Sequence, residues 1–218
     1  SEIPRGADSI IMVENTSGFS DNDFVKFMTP VSKGAHIRKK GEEISKGDLL
    51  IKKGTRVTAN ELGTIATFGY GELYVSRRPR VSLFVTGNEL IEPGNSLGKG
   101  QIYNSNLYVF NDLIRKAGGK IEMSEVVKDD KNSLKLFLSK ALKNSDMVIL
   151  SGGISMGRYD YVRDVLIELG VEEHFWKVAQ KPGKPLFFGT KEKKIIFGLP
   201  GNPVSSFIGF MEWVWPVL

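Results

Sequence analysis

Three segments in the second half of the sequence combine glycine and proline with polar residues at a spacing that suits an anionic ligand. They span residues 151–161, 181–185 and 198–203. In the first segment a glycine-rich turn follows an apolar stretch, so its backbone N–H groups can approach a phosphate. Asp160 stands at the start of the next predicted helix, where its carboxylate can hold a divalent cation. The segments therefore predict a polar pocket for phosphate and metal chemistry.

Strand-like and helix-like segments alternate in the same part of the chain, and they must position these motifs. Apolar runs predict strands at residues 81–85, 120–127, 147–150, 175–178, 186–188 and 194–197. Helical patterns predict helices at residues 105–116, 132–143, 159–169 and from 203 onward. This alternation is typical of a mostly parallel sheet covered by helices on both faces. We therefore predict an α/β fold, a three-layer α/β/α domain over residues 80–218.

The first part of the chain has a different character. It is rich in Gly, Lys and Thr and contains short β-like runs at residues 9–13 and 23–28. We predict a partial β-rich domain over residues 1–37. Residues 38–79 are predicted to form an extended linker or dimerisation module with β structure.

Acidic residues follow three of the predicted strands at their carboxyl ends. They are Glu89, Asp129 and Asp160. Ligands of open parallel sheets bind beyond the carboxyl ends of the strands, so we expect these side chains to share one edge. Like charges at that edge raise one another's pKa, and a bound Mg²⁺ would relieve the repulsion. The sequence therefore predicts a magnesium site.

Each of these signals also has a purely structural interpretation. Asp129 stands just before a predicted helix, where aspartate commonly caps backbone N–H groups. Gly152 and Gly153 suit an ordinary turn between a strand and a helix. Asn202 and Pro203 suit the start of a helix, with Asn202 as the cap. From the residues alone, both interpretations stay open.

The composition argues against several classes of protein. Of the 218 residues, 41% are hydrophobic and 25% are charged, as in typical globular proteins. No apolar run is long enough for a membrane helix and no signal peptide is evident, so we expect a cytoplasmic protein that does not bind membranes. Cysteine is absent and only two histidines occur, which leaves oxygen ligands for a metal. Acidic residues are interspersed with the basic ones, so we do not expect nucleic-acid binding despite the net charge of +5.

Taken together, the motifs resemble those of the MoeA and gephyrin E-domain family, the molybdopterin molybdenumtransferases. The matching segments are residues 37–44, 79–81, 86–90, 101–106, 129–130, 151–161, 175–178, 181–185 and 198–203. They occur in the same order over nearly the whole chain. The resemblance implies a domain similar to the MogA fold, preceded by β-rich modules.

The resemblance also implies a reaction. Members of the family insert molybdenum from molybdate into adenylylated molybdopterin and release AMP, with a requirement for Mg²⁺. They act as homodimers in which the partner subunit completes the pocket, and the molybdopterin adenylyltransferase is a further candidate partner.

Site residues follow from the resemblance by position. Glu89, Asp129 and Asp160 match the family's active-site acids, and Glu43 stands where the family usually has aspartate. The positions that match the substrate pocket are Ser151, Gly152, Gly153, Ser155, Lys177, Lys181, Lys184, Pro200, Gly201, Asn202 and Pro203.

Three further expectations accompany this resemblance. The sequence resembles a fragment, because family members begin before Ser1 and continue past Leu218 into a β-rich domain. A non-catalytic scaffolding role is an alternative, since the gephyrin E domain also anchors receptors. The related adenylyltransferase activity is a third possibility, which the β-like region before Arg80 disfavours.

Overall fold

A computed structural model describes residues 2–18, 24–154 and 161–218. The chain divides into two compact units, Ser1–Tyr74 and Val75–Leu218. The finer predicted division of the first part, at residue 37, stays a prediction. In the part of the chain that the structure describes, no helix is long and apolar enough to cross a membrane.

Within the described part of the second unit, six strands form one sheet in the order β4-β1-β5-β8-β7-β6. A separate two-stranded pairing joins β2 and β3. The strands are β1 (Arg80–Thr86), β2 (Leu90–Ile91), β3 (Ile102–Tyr103), β4 (Lys120–Val127), β5 (Met147–Ser151), β6 (Glu172–Phe175), β7 (Phe187–Lys191) and β8 (Lys194–Leu199). β4, β1, β5 and β8 run parallel, whereas β7 and β6 add antiparallel pairings.

Helices cover both faces of this sheet. They are α2 (Asn106–Lys116), α3 (Lys131–Asn144), α4 (Tyr161–Glu168) and α5 (Pro203–Gly209), and a short π-helical stretch, Phe210–Val214, continues α5. Successive residues of a strand face opposite sides, so Phe84 packs with α3 and α4, whereas Leu83 packs with α2 and the π-helical stretch. The central strands β1 and β5 are mostly apolar because both of their faces are buried. The predicted three-layer α/β/α fold is confirmed.

One predicted strand is displaced. The sequence places a strand at residues 175–178, but β6 ends at Phe175. The chain leaves the sheet there because the indole N–H of Trp176 donates to the carbonyl of Ile154, 3.0 Å away. Val178 N–H then donates to the carbonyl of Lys184 at 3.0 Å and closes a loop. Phe175 therefore ends β6, whereas Trp176 and Val178 belong to the loop that follows.

The first unit contains less regular structure than the sequence predicts. Its helix α1, Ala59–Thr67, begins with a capping box between Thr58 and Glu61. The predicted strand at residues 9–13 is wrong. Of the second run, the structure describes residues 24–28, and among these only Phe27 forms a bridge, with Thr16. β-propensity becomes a strand only where a partner strand supplies hydrogen bonds and a buried face, and the apolar side chains of these runs are largely exposed.

Candidate functional site

The ends of β1, β5 and β8 lie side by side at one edge of the sheet. Val85 pairs with Ser151, and Ser151 pairs with Leu199. A cleft of about 370 Å³ opens at this edge. It is lined by Val85, Thr86, Glu89, Leu90, Ile102, Tyr103, Asn104, Ser105, Asn106, Ser151, Gly201, Asn202 and Pro203. The structure thus brings together five of the predicted site residues, Glu89, Ser151, Gly201, Asn202 and Pro203.

The turn after β5 requires its two glycines. Gly152 has a φ of +95°, and a Cβ there would overlap the carbonyl oxygen of Thr86. Gly153 has a φ of +63°, and a Cβ there would lie 2.7 Å from Cγ2 of Val162. The Gly152 N–H donates to the carbonyl of Leu199 at 3.0 Å. The absence of side chains on these two glycines therefore lets the turn pack directly against the ends of β1 and β8.

Ser151 is fully buried, and its hydroxyl bonds within the protein. It accepts a hydrogen bond from Nδ2 of Asn106 at 2.9 Å and donates one to the carbonyl of Pro200 at 3.1 Å. The Ser151 hydroxyl therefore ties the end of β5 to the turn after β8.

The turn after β8 leads directly into α5. Oδ1 of Asn202 accepts from the N–H groups of Val204 and Ser205 at 3.1 and 3.2 Å, and Pro203 occupies the first helical turn. The structural interpretation of Asn202 as a helix cap is therefore confirmed. Asn202 and Pro203 also line the cleft, so Asn202 both caps α5 and contributes to the cleft wall.

The acidic residues divide among several environments. The carboxylate of Glu89 folds back to within 2.9 Å of where a Gly87 side chain would begin. Oδ1 of Asp129 lies 3.4 Å from the Thr86 hydroxyl, and Asp129 N–H donates to Oδ1 of Asn88 at 3.3 Å. Asp129 and Glu89 therefore both neighbour the end of β1.

Two predicted residues, Asp160 and Ser155, lie outside the described residues. Among the residues that the structure does describe, no group of three His, Asp or Glu side chains is placed to hold a metal. The three-carboxylate magnesium site stays a prediction. The neighbouring Asp130 caps α3: its carboxylate accepts from Ser133 N–H at 2.9 Å, which lowers the pKa of Asp130.

The predicted lysines are not part of the described lining of the cleft. Nζ of Lys177 lies 4.4 Å above the ring of Trp176, whose N–H donates to Ile154 next to the glycine turn. Lys181 and Lys184 stand in the loop that Val178 closes, on either side of Gly183. Their side chains remain predicted ligand contacts.

Glu43 belongs to the first unit. Its carboxylate pairs with Nη1 of Arg38 at 2.9 Å, and both side chains are exposed. Exposed ion pairs of this kind contribute little to stability, so this ion pair alone does not account for the presence of either residue. The predicted catalytic role of Glu43 stays a prediction.

Comparison with known proteins decides the family. Residues 82–218 match the model described as "Probable molybdopterin binding domain", and residues 1–69 match "MoeA N-terminal region (domain I and II)". The chain belongs to the molybdopterin-binding domain family. The first of these matches covers well over half of the chain, and it coincides with the α/β unit that carries the cleft.

Individual relatives agree with this family. A molybdopterin molybdenumtransferase of Nostoc is 37% identical over 219 residues, which cover 99% of this chain and 50% of the relative. One from Staphylococcus aureus is 35% identical and is matched over 51% of its length. The solved MoeA molybdopterin biosynthesis protein of Pyrococcus horikoshii is 36% identical, with a TM-score of 0.74 over 99% of this chain and 53% of that one. The chain thus spans about half the length of the relatives it matches.

The molybdopterin-binding domain also contains site residues that the sequence reasoning did not single out. Asn104 is buried in the wall of the cleft, and its Nδ2 donates to Oε1 of Glu92 at 3.0 Å. The hydroxyl of Tyr108 donates to Oε2 of the same carboxylate at 2.7 Å. These bonds lower the pKa of Glu92, Tyr108 contributing most, and raise the pKa of Tyr108. The network braces the paired strands β2 and β3 beside the cleft.

Asn106 is the second residue that was missed. Its amide contacts both Ser151 and Gly201, which are 45 and 95 residues away in the sequence. Asn104 and Asn106 lie in one of the segments that carried the family resemblance, residues 101–106. The only signal in the sequence was the pair of asparagines before a helix, and their burial could not be read from it.

Proposed function

We propose that this chain acts as a molybdopterin molybdenumtransferase, which inserts molybdenum from molybdate into adenylylated molybdopterin and releases AMP. The observation that carries the proposal is the cleft at the carboxyl edge of the sheet. Glu89, Ser151 at the end of β5 and Gly201 in the turn after β8 all line it. The names of the relatives support the same reaction.

The turn after β8 supplies a surface that a phosphate can approach closely. Gly201 lines the cleft and has no side chain, and the backbone amides of glycine-containing turns bind anions. The Gly152 N–H already donates to the Leu199 carbonyl, so Gly152 contributes by letting the turn after β5 pack closely. Lys177, Lys181 and Lys184 add positive charge in the segments that follow β6, and we propose that they attract the phosphate and molybdate oxygens.

The acids near β1 fit a hard divalent cation. Glu89 and Asp129 offer carboxylate oxygens, the donors that Mg²⁺ prefers, and we propose that Asp160 completes the set. Bound Mg²⁺ would neutralise charge on the phosphoanhydride. The protein's own task is then to hold the adenylylated pterin in the cleft, with its dithiolene beside the molybdate.

The assembly and location of the protein are proposals as well. We propose a homodimer, a functional link to the molybdopterin adenylyltransferase and a cytoplasmic location. The match of residues 1–69 to a MoeA N-terminal region supports the molybdenumtransferase over the related adenylyltransferase activity.

Binding of adenylylated molybdopterin, measured by titration calorimetry with Mg²⁺ and with EDTA, tests the proposal. We expect Mg²⁺ to tighten binding to the wild-type chain, and we expect Glu89→Gln to abolish that gain. Glu125→Gln is the matched control, because Glu125 is an exposed acid of β4 outside the cleft lining. A wild-type chain that does not bind the pterin would refute the proposal. Equal behaviour of the two variants would remove Glu89 from the site.

A further inference from the structure

We propose that Asn106 is a positioning residue that fixes the turns after β5 and β8 relative to each other. Asn106 begins α2, is 6% exposed and lines the cleft. Its Nδ2 donates to Oγ of Ser151 and to the carbonyl of Gly201, each at 2.9 Å. One amide group therefore connects the start of α2, the end of β5 and the turn after β8. The effect on ligand binding rests on the proposed function, whereas the effect on the turns does not.

The hydrogen bonds around Asn106 allow one arrangement of protons. The Gly201 carbonyl only accepts, so the amide nitrogen must face it. The Ser151 hydroxyl gives its single proton to the carbonyl of Pro200, so it must accept from Asn106. Both amide hydrogens are then in use. An aspartate at this position carries no such hydrogens at neutral pH and would place a carboxylate against the Gly201 carbonyl.

The groups that Asn106 holds belong to turns already in close contact. A Cβ on Gly201 would lie 3.6 Å from the Cα of Gly152. The Gly152 N–H donates to the carbonyl of Leu199 at 3.0 Å. The turns after β5 and β8 therefore lie against each other, and Asn106 binds both from the side of α2. Without its amide, this contact would rely on the remaining Ser151 and Gly152 bonds.

We expect Asn106→Ala to speed hydrogen exchange of the Gly152 amide at least fivefold, measured by NMR. Loss of two hydrogen bonds should also weaken binding of adenylylated molybdopterin about tenfold, equivalent to about 1.4 kcal/mol. Asn106→Asp should weaken it more. Should Asn106→Ala fail to fold, Ser151→Ala removes one of the two contacts and should produce the same changes to a smaller extent.

Asn111→Ala is the matched control. Asn111 lies on the same helix, and its Nδ2 donates to the hydroxyl of Ser124 on β4 at 2.7 Å, away from the cleft lining. This variant also loses an amide–serine bond between α2 and the sheet. It should leave both pterin binding and Gly152 exchange as in the wild type. A general loosening of α2 would instead affect the Asn106 and Asn111 variants alike.

The outcomes separate the two proposals. Unchanged exchange of Gly152 in Asn106→Ala would overturn the positioning role, whether or not the chain binds the pterin. Faster exchange with unchanged pterin affinity would overturn its link to the ligand. If the wild-type chain binds no pterin but the exchange effect appears, the proposed function fails and the positioning of the turns stands.

Discussion

Replacing Gly152 with alanine tests the geometry of the cleft most sharply. At φ +95° an L-residue costs about 1–2 kcal/mol. The new Cβ also overlaps the Thr86 carbonyl, and forcing such a contact costs roughly 1–3 kcal/mol. Alanine restricts the unfolded chain, which offsets about 0.4–1 kcal/mol. We therefore expect Gly152→Ala to lower the free energy of unfolding by about 1–5 kcal/mol.

Two other glycines separate the contributions. Gly94 also has a φ of +95°, but a Cβ added there would meet no atom within 4 Å, so Gly94→Ala reports the backbone cost alone. Gly201 lies outside the left-handed region and would meet only an ordinary contact at 3.6 Å, so Gly201→Ala should change stability by less than about 1 kcal/mol.

Urea unfolding of the three variants, followed by circular dichroism, measures these differences. The order of destabilisation should be Gly152→Ala, then Gly94→Ala, then Gly201→Ala. A Gly152→Ala variant no less stable than Gly94→Ala would refute the close packing of this turn against β1.

Three more predictions concern charged groups. The Arg77 guanidinium lowers the pKa of Asp146 well below its usual range. The Asp146 carboxylate therefore stabilises the fold at pH values above its unfolded-state pKa of about 4. This contribution is lost as the pH falls from about 4 towards the lower pKa of the folded state. Asp146→Asn should lower the free energy of unfolding at neutral pH by about 1–2 kcal/mol. It should also reduce the loss of that free energy on acidification, and an unchanged dependence on pH would contradict this. Glu92→Gln should lower the pKa of Tyr108, which Glu92 raises, and an ultraviolet titration in which no tyrosine shifts would contradict the network. Asp129→Asn should abolish Mg²⁺-dependent turnover while circular dichroism stays native, and full turnover would exclude Asp129 as a metal ligand.

The sheet could be predicted from the sequence because its signals are local. β1 and β5 are short apolar runs bounded by polar residues, and both were placed to within a residue at each end. The run at residues 9–13 carries the same kind of signal, but it has no strand partner in the described structure. Strand propensity does not reveal whether a partner exists, so the same reasoning was right in one unit and wrong in the other.

The candidate site divides along similar lines. The glycine turn and the acids at strand ends follow from general rules about parallel sheets, so Glu89, Gly152 and Asp129 could be proposed from the sequence. Of these three, Glu89 lines the cleft, and the site roles of all three stay predictions. Asn106 was missed because its partners, Ser151 and Gly201, come from distant parts of the chain. Only the packed structure shows that its amide is buried between two turns.

AMP release from adenylylated molybdopterin tests the central claim most directly. The chain would be mixed with the substrate and Mg²⁺, with and without molybdate, and AMP would be quantified by chromatography. The full-length Nostoc relative serves as the positive control. We expect release that depends on molybdate and yields about one AMP per molybdopterin. No release by this chain, under conditions in which the Nostoc protein releases AMP, would contradict the claim that the chain carries out the reaction.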